Sequence, residues 1–84
     1  MDSRNSEDEE IVLDIRIIDP AMRHQTINRV FSTLTGTKTL QLVVDHNPLR
    51  LKRLMESTFD DVAWTYLEEG PQVWHVRLGH GAAA

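Results

Sequence analysis

At 84 residues with no cysteine, the chain has room for one domain with a modest core, and disulfide frameworks, thiolate metal centres and thiol chemistry are excluded together. Its formal charge of −4 resides in residues 1–10, where Asp2, Glu7, Asp8, Glu9 and Glu10 face Arg4 alone; residues 11–84 balance eight acids with eight bases and lack the positive excess of a general nucleic-acid binder. No apolar run approaches the ~18 residues of a membrane span, and the opening residues are acidic where a secretory signal is basic and then hydrophobic, so the expected setting is the cytosol, away from membranes.

Residues 1–10 offer nothing apolar beyond Met1 and read as a flexible acidic tail, since they cannot offset the entropy of ordering. A strand follows, with Ile11, Leu13 and Ile15 on its buried side. Ile17-Ile18-Asp19-Pro20 breaks it, and Asp19 is placed to cap a helix that starts at Pro20 and runs to about Leu34, carrying Ile27, Val30, Phe31 and Leu34 at helical spacing. Gly36 supplies the left-handed turn residue. Thr39 to Asp45 is the best candidate for a central strand, with Leu40, Leu42 and Val44 on one face.

Asn47 and Pro48 then suit the cap and first position of a second helix, about Pro48 to Thr58, with Leu51, Leu54 and Met55 inward. The small basic cluster of Arg50, Lys52 and Arg53 reads as its solvated face. Phe59 plugs the end of the core. Val62–Leu67 and Gln72–Leu78 form a hairpin around Glu68-Glu69-Gly70-Pro71, with Trp64, Tyr66, Trp74 and Val76 packing across it rather than serving as a base-stacking platform. Residues 79–84 read as a frayed C-terminal tail, leaving one domain over residues 11–78.

The order βαβαββ with right-handed crossovers predicts an α+β two-layer sandwich, two helices on one face of a four-stranded mixed sheet. The other face, expected to hold Val12, Gln41, Val43, Thr65 and His75, is only half polar and could be covered by a protein partner or a second copy.

Leu13-Asp14-Ile15-Arg16, Arg23-His24, Asp45-His46-Asn47-Pro48 and above all Tyr66-Leu67-Glu68-Glu69-Gly70-Pro71 with Trp74 three residues on make the chain resemble the small bacterial family called domain of unknown function 2249, over about residues 12–78. That family in turn resembles the sulfur carriers of the TusA/SirA type, which implies the same βαβαββ fold. Family members also occur fused to hemerythrin-like domains, which implies a setting of iron, oxygen or nitrogen oxides. The carriers hold a persulfide on a cysteine followed by proline; here the corresponding residues are Asp19-Pro20-Ala21, so cysteine-based sulfur transfer is excluded. The family's usual glycine after Asp-x-Arg is Ile17, and its Asp-His-Asp-Pro reads Asp-His-Asn-Pro, which weakens a metal role that leans on a second aspartate.

If the first three strands run in one direction, their C-terminal ends gather His24, Asp45, His46, Glu68 and Glu69. Imidazoles with carboxylates suit a divalent metal, His24, His46 and Asp45 being the candidate ligands; the same groups suit a small cationic or hydrogen-bonding ligand, or acid/base work. The plainer readings are that Asp45 and Asn47 cap a helix, that His24 and His46 face solvent, and that Glu68 and Glu69 keep a turn soluble. His75 and His80 gain no support from spacing. The expectation is therefore a small cytosolic binding or accessory module that works beside a partner, with a protein-interaction or dimerisation module as the alternative and a small enzyme as the less favoured one.

Overall fold

A computed structural model describes residues 10–81. The expected tails lie outside the described residues except for Glu10 and residues 79–81. Strand β1 (Glu10–Asp14) leads through a single 3-10 turn, Ile15–Ile17, into helix α1 (Pro20–Thr33); strand β2 (Thr39–Val44), helix α2 (Leu49–Thr58) and strands β3 (Val62–Glu69) and β4 (Trp74–His80) follow. The sheet order is β1-β2-β4-β3, with β1 and β2 parallel and β4 antiparallel to both neighbours. Strands β1, β2 and β3 therefore share one direction, as the expected α+β sandwich requires.

The core follows the apolar spacing except at Ile11 and Leu54, expected inward but 42% and 41% exposed, Ile11 because β1 is an outer strand of the sheet and Leu54 because it borders the gap between α1 and α2. Ile27 and Phe31 of α1 and Met55 of α2 are buried against Leu40, Leu42 and Val44 of β2 and Val76 and Leu78 of β4. Each such side chain stabilises the fold by about 1.5–3 kcal/mol through the water it leaves. Trp64, Tyr66 and Trp74 pack on the same face as an edge-to-face series with centroids 6.0 and 6.2 Å apart. Phe59 closes the end of the core against Phe31, ring centroids 4.8 Å apart.

Two helix starts differ. Asp19 caps α1 as expected, its carboxylate accepting from the Ala21 N–H at 3.0 Å with Pro20 at the first helical position. At α2 the chain departs from expectation: Pro48 occupies the cap position, no side chain caps the helix, and the Asn47 Oδ1 instead accepts from the Tyr66 hydroxyl at 3.3 Å. A proline cap leaves the first-turn N–H groups of α2 without a side-chain acceptor.

The hairpin is longer than the composition suggests, because Glu68 and Glu69 continue β3 and the turn shifts to Gly70–Val73, closed by Gly70 N–H to Val73 C=O at 3.0 Å. Gly70 has φ +56°, and a Cβ there would stand 2.7 Å from the Trp74 indole, so the position demands glycine twice over. Residue Leu67 is a β-bulge: Tyr66 faces Val76, yet Glu68 faces His75. Strand β4 reaches His80, two residues past the predicted end.

The face away from the helices is tied together by polar side chains. Glu10 accepts from Thr39 at 2.9 Å and Gln41 at 3.1 Å and pairs with Arg77 at 2.6 Å, while Gln41 Oε1 meets His75 Nδ1 at 2.8 Å. Arg77 foremost holds the Glu10 carboxyl below the usual range, burial opposing it and Thr39 and Gln41 assisting. Val12 is exposed on this face, and Val43 is buried in it. No described helix is long and apolar enough to cross a membrane.

Candidate functional site

Because β1 and β2 are parallel neighbours, the chain leaves both at one end of the sheet and enters α1 and α2 there, through Asp19-Pro20 and Asn47-Pro48. A cleft of about 460 Å³ opens between the first two turns of these helices. Its floor is Ile15, Ile27 and Val44, all buried, and Leu51 with the 41% exposed Leu54 forms one wall. Arg23, His24, His46, Asn47 and Arg50 supply its polar lining. An apolar hollow with a few convergent polar groups is the usual form of a small-ligand pocket.

Local chemistry holds the rim in shape. In the turn after β1 the Asp14 carboxylate accepts from the Arg16 backbone N–H at 3.0 Å and from its guanidinium at 2.8 and 2.7 Å. That guanidinium holds the Asp14 carboxyl down to about 2. Arg23 Nε donates to the Ile18 carbonyl at 2.9 Å, which orients the guanidinium from α1. Asp45 and His46 form a pair, Oδ1 to Nδ1 at 2.8 Å, and His46 holds the Asp45 carboxyl below its usual range. Both side chains are about two-thirds exposed, at 63% and 67%, so water screens this pair.

The structure brings together three of the five residues singled out from the sequence. His24 and His46 line the cleft, and Asp45 stands beside it on His46. Glu68 does not join them. Side chains two apart along a regular strand share a face, so Glu68 would follow Tyr66 toward the helices, but the bulge at Leu67 reverses that parity and sets Glu68 opposite His75, carboxylate to Nε2 at 3.7 Å. Glu69 is exposed at the end of β3, in register with Trp74. Among the described residues no three His, Asp or Glu side chains gather as a set that could hold a metal ion, so the geometry lends the divalent-metal expectation no ligand set.

Two cleft residues, Arg23 and Arg50, escaped the sequence reading as site residues. Arg50 belongs by composition to the basic helix face, yet it sits four positions before Leu54 as Arg23 sits four before Ile27, and all four line the cleft. That shared spacing, a cation and then an apolar side chain one turn deeper on the same helix face, is the signal that could have found them.

No curated protein and no solved structure matches the chain. The family model described as Uncharacterized conserved protein (DUF2249) matches residues 12–80, from within β1 to the end of β4, and the chain belongs to that family.

Proposed function

We propose that the protein is a small-ligand-binding module whose site is the cleft between the opening turns of α1 and α2. The observation that carries this reading is the hollow of about 460 Å³, with a buried apolar floor and its polar groups drawn from the two chain segments that enter the helices. Pockets for small molecules fall in the range of roughly 300–1,000 Å³ and have this composition. His24, His46 and, through His46, Asp45 belong to the proposed site; Glu68 and Glu69 do not. A cytosolic, accessory role beside a partner protein is part of the same proposal, as is the fold-level likeness to the sulfur carriers, with Asp19-Pro20 standing where their cysteine and proline stand.

The alternative of an interaction module working through the open sheet face has less support. That face is linked by the Glu10, Gln41, His75 and Arg77 contacts, and polar groups already paired within the sheet give a partner little apolar surface to cover.

The cleft reading is tested by saturation-transfer NMR on a mixture of small aliphatic and aryl compounds, comparing the native chain with Leu54→Arg. Leu54 is exposed enough for the longer side chain to be accommodated, and it would fill the cleft. The expected outcome is saturation transfer to a subset of compounds that drops at least several-fold in the variant. Equal transfer with both proteins would remove the cleft as the site.

A further inference from the structure

We infer, resting on the binding reading above, that the cleft takes an amphipathic organic anion: a carboxylate head carried on a short hydrocarbon or aryl body. Residues 11–84 balance eight acids with eight lysines and arginines, yet every described ionisable side chain lining the cleft is a base, Arg23, His24, His46 and Arg50. A site for an amine would need the reverse, and among the described residues no three His, Asp or Glu side chains gather there to hold a metal ion. The arginines are also without acidic partners among the described residues. Arg23 uses Nε on the Ile18 carbonyl and forms no ion pair, Arg50 forms neither hydrogen bond nor ion pair, and Asp45, the acid whose charge reaches Arg23, has its carboxylate on His46. Guanidinium groups at the mouth of an apolar hollow, Arg23 oriented by the Ile18 carbonyl and Arg50 with no partner to give up, gain most from a planar, bidentate acceptor, which is what a carboxylate presents.

The helices also set the order of head and body. Arg23 and Arg50 lie in the first turns of α1 and α2, and Ile27 and Leu54 follow each of them by four residues, a rise of about 6 Å. Charge therefore sits at the end where both helices begin, and apolar surface extends one turn along both. The N-terminal ends of the two helix dipoles point to the same mouth, which adds to the field favouring a negative head there. A neutral ligand of the same shape would cover the arginines while leaving them unpaired, and an inorganic anion would leave the apolar turn exposed to water.

The test is a calorimetric titration at low salt with matched probes: hexanoate, 1-hexanol, hexylamine and inorganic phosphate. Each is titrated into the native chain, Arg50→Gln, the control Arg53→Gln, which removes an equal charge outside the cleft, and Leu54→Arg. The account expects hexanoate to bind at least tenfold more tightly than hexanol or phosphate, a gap that a charged hydrogen bond supplies, and to weaken with added salt. It expects no detectable hexylamine binding, a several-fold loss in Arg50→Gln, and native affinity in Arg53→Gln. Hexanol binding as tightly as hexanoate, with both lost in Leu54→Arg, would overturn the anionic head and leave the cleft reading standing. Phosphate matching hexanoate would overturn the amphipathic body, and equal losses in the two arginine variants would overturn the placement of the head. No binding of hexanoate or hexanol to the native chain would overturn this inference, and the saturation-transfer comparison then decides the cleft reading by itself.

Discussion

His80 shows how one side chain can join elements that the sequence keeps apart. It ends β4, stacks on Phe31 with ring centroids 4.0 Å apart, and meets an acceptor at each nitrogen: Asp61 at Nδ1, 2.9 Å away, and the Phe31 carbonyl at Nε2, 3.0 Å away. Only the imidazolium donates from both nitrogens. Burial works against the charge, but the Phe31 carbonyl and the Asp61 carboxylate outweigh it, and the pKa rises above its ordinary value of 6.5. A group whose pKa is higher folded than unfolded contributes stability that is full below the unfolded value and is lost as pH climbs through the folded one. Urea unfolding followed across this range should show stability declining above about pH 6.5. In His80→Gln that decline should flatten, and the chain should be destabilised by about 1–2 kcal/mol at acidic pH, the scale of a partly exposed charged hydrogen bond. An unchanged slope in the variant would show that His80 is not the titrating group. From the sequence the strand is expected to end at Leu78, with His80 in a frayed tail that starts at Gly79, whereas β4 carries the alternation of Trp74, Val76 and Leu78 on to His80. No local pattern announces Asp61 or Phe31 as its partners.

At the level of elements, hydrophobic period was a reliable guide and local geometry was not. The four strands and two helices follow from apolar spacing, and the start of α1 from Asp19-Pro20. Asn47-Pro48 repeats the same pattern in type, yet the chain turns one residue later there and Asn47 bonds Tyr66 across the fold. This contrast has a measurable consequence. Asp19→Ala removes a working cap and should cost about 1 kcal/mol, whereas Asn47→Ala should cost less than about 0.5 kcal/mol. Equal losses in urea denaturation would mean that Asn47 caps α2 after all. The Leu67 bulge is the second case. A strand pattern specifies which residues alternate but carries no mark for an extra residue, and one such residue moved Glu68 from the expected cluster to His75 on the other face. The bulge also protects β3, an outer strand of the sheet, from extending into another chain.

For the molecule as a whole, parallel β1 and β2 are the decisive feature. Their shared direction brings both helix entries to one end, and the cleft is the space those entries leave between α1 and α2. The opposite end and the open face serve cohesion instead: Glu10 alone contacts Thr39, Gln41 and Arg77 and so joins β1 to β2 and β4. The location of the cleft at the C-terminal ends of the strands was legible from strand order and direction. The make-up of its lining was not: the expected cluster of histidines and carboxylates suits a metal, a small cationic or hydrogen-bonding ligand, or acid/base work. Among the described residues the lining that the fold assembles is basic and apolar, with no acid in it.

The most direct measurement of this account is a ¹H–¹⁵N correlation spectrum of the full chain during titration with hexanoate. Dose-dependent shifts are predicted at the amides of residues 21–27, 46, 47, 49–51 and 54, around Arg23, His24, His46, Arg50 and Leu54. Amides of Gln41, His75 and Arg77 on the open face should stay in place. Shifts centred on those open-face amides, or none at the cleft at saturating probe, would contradict it.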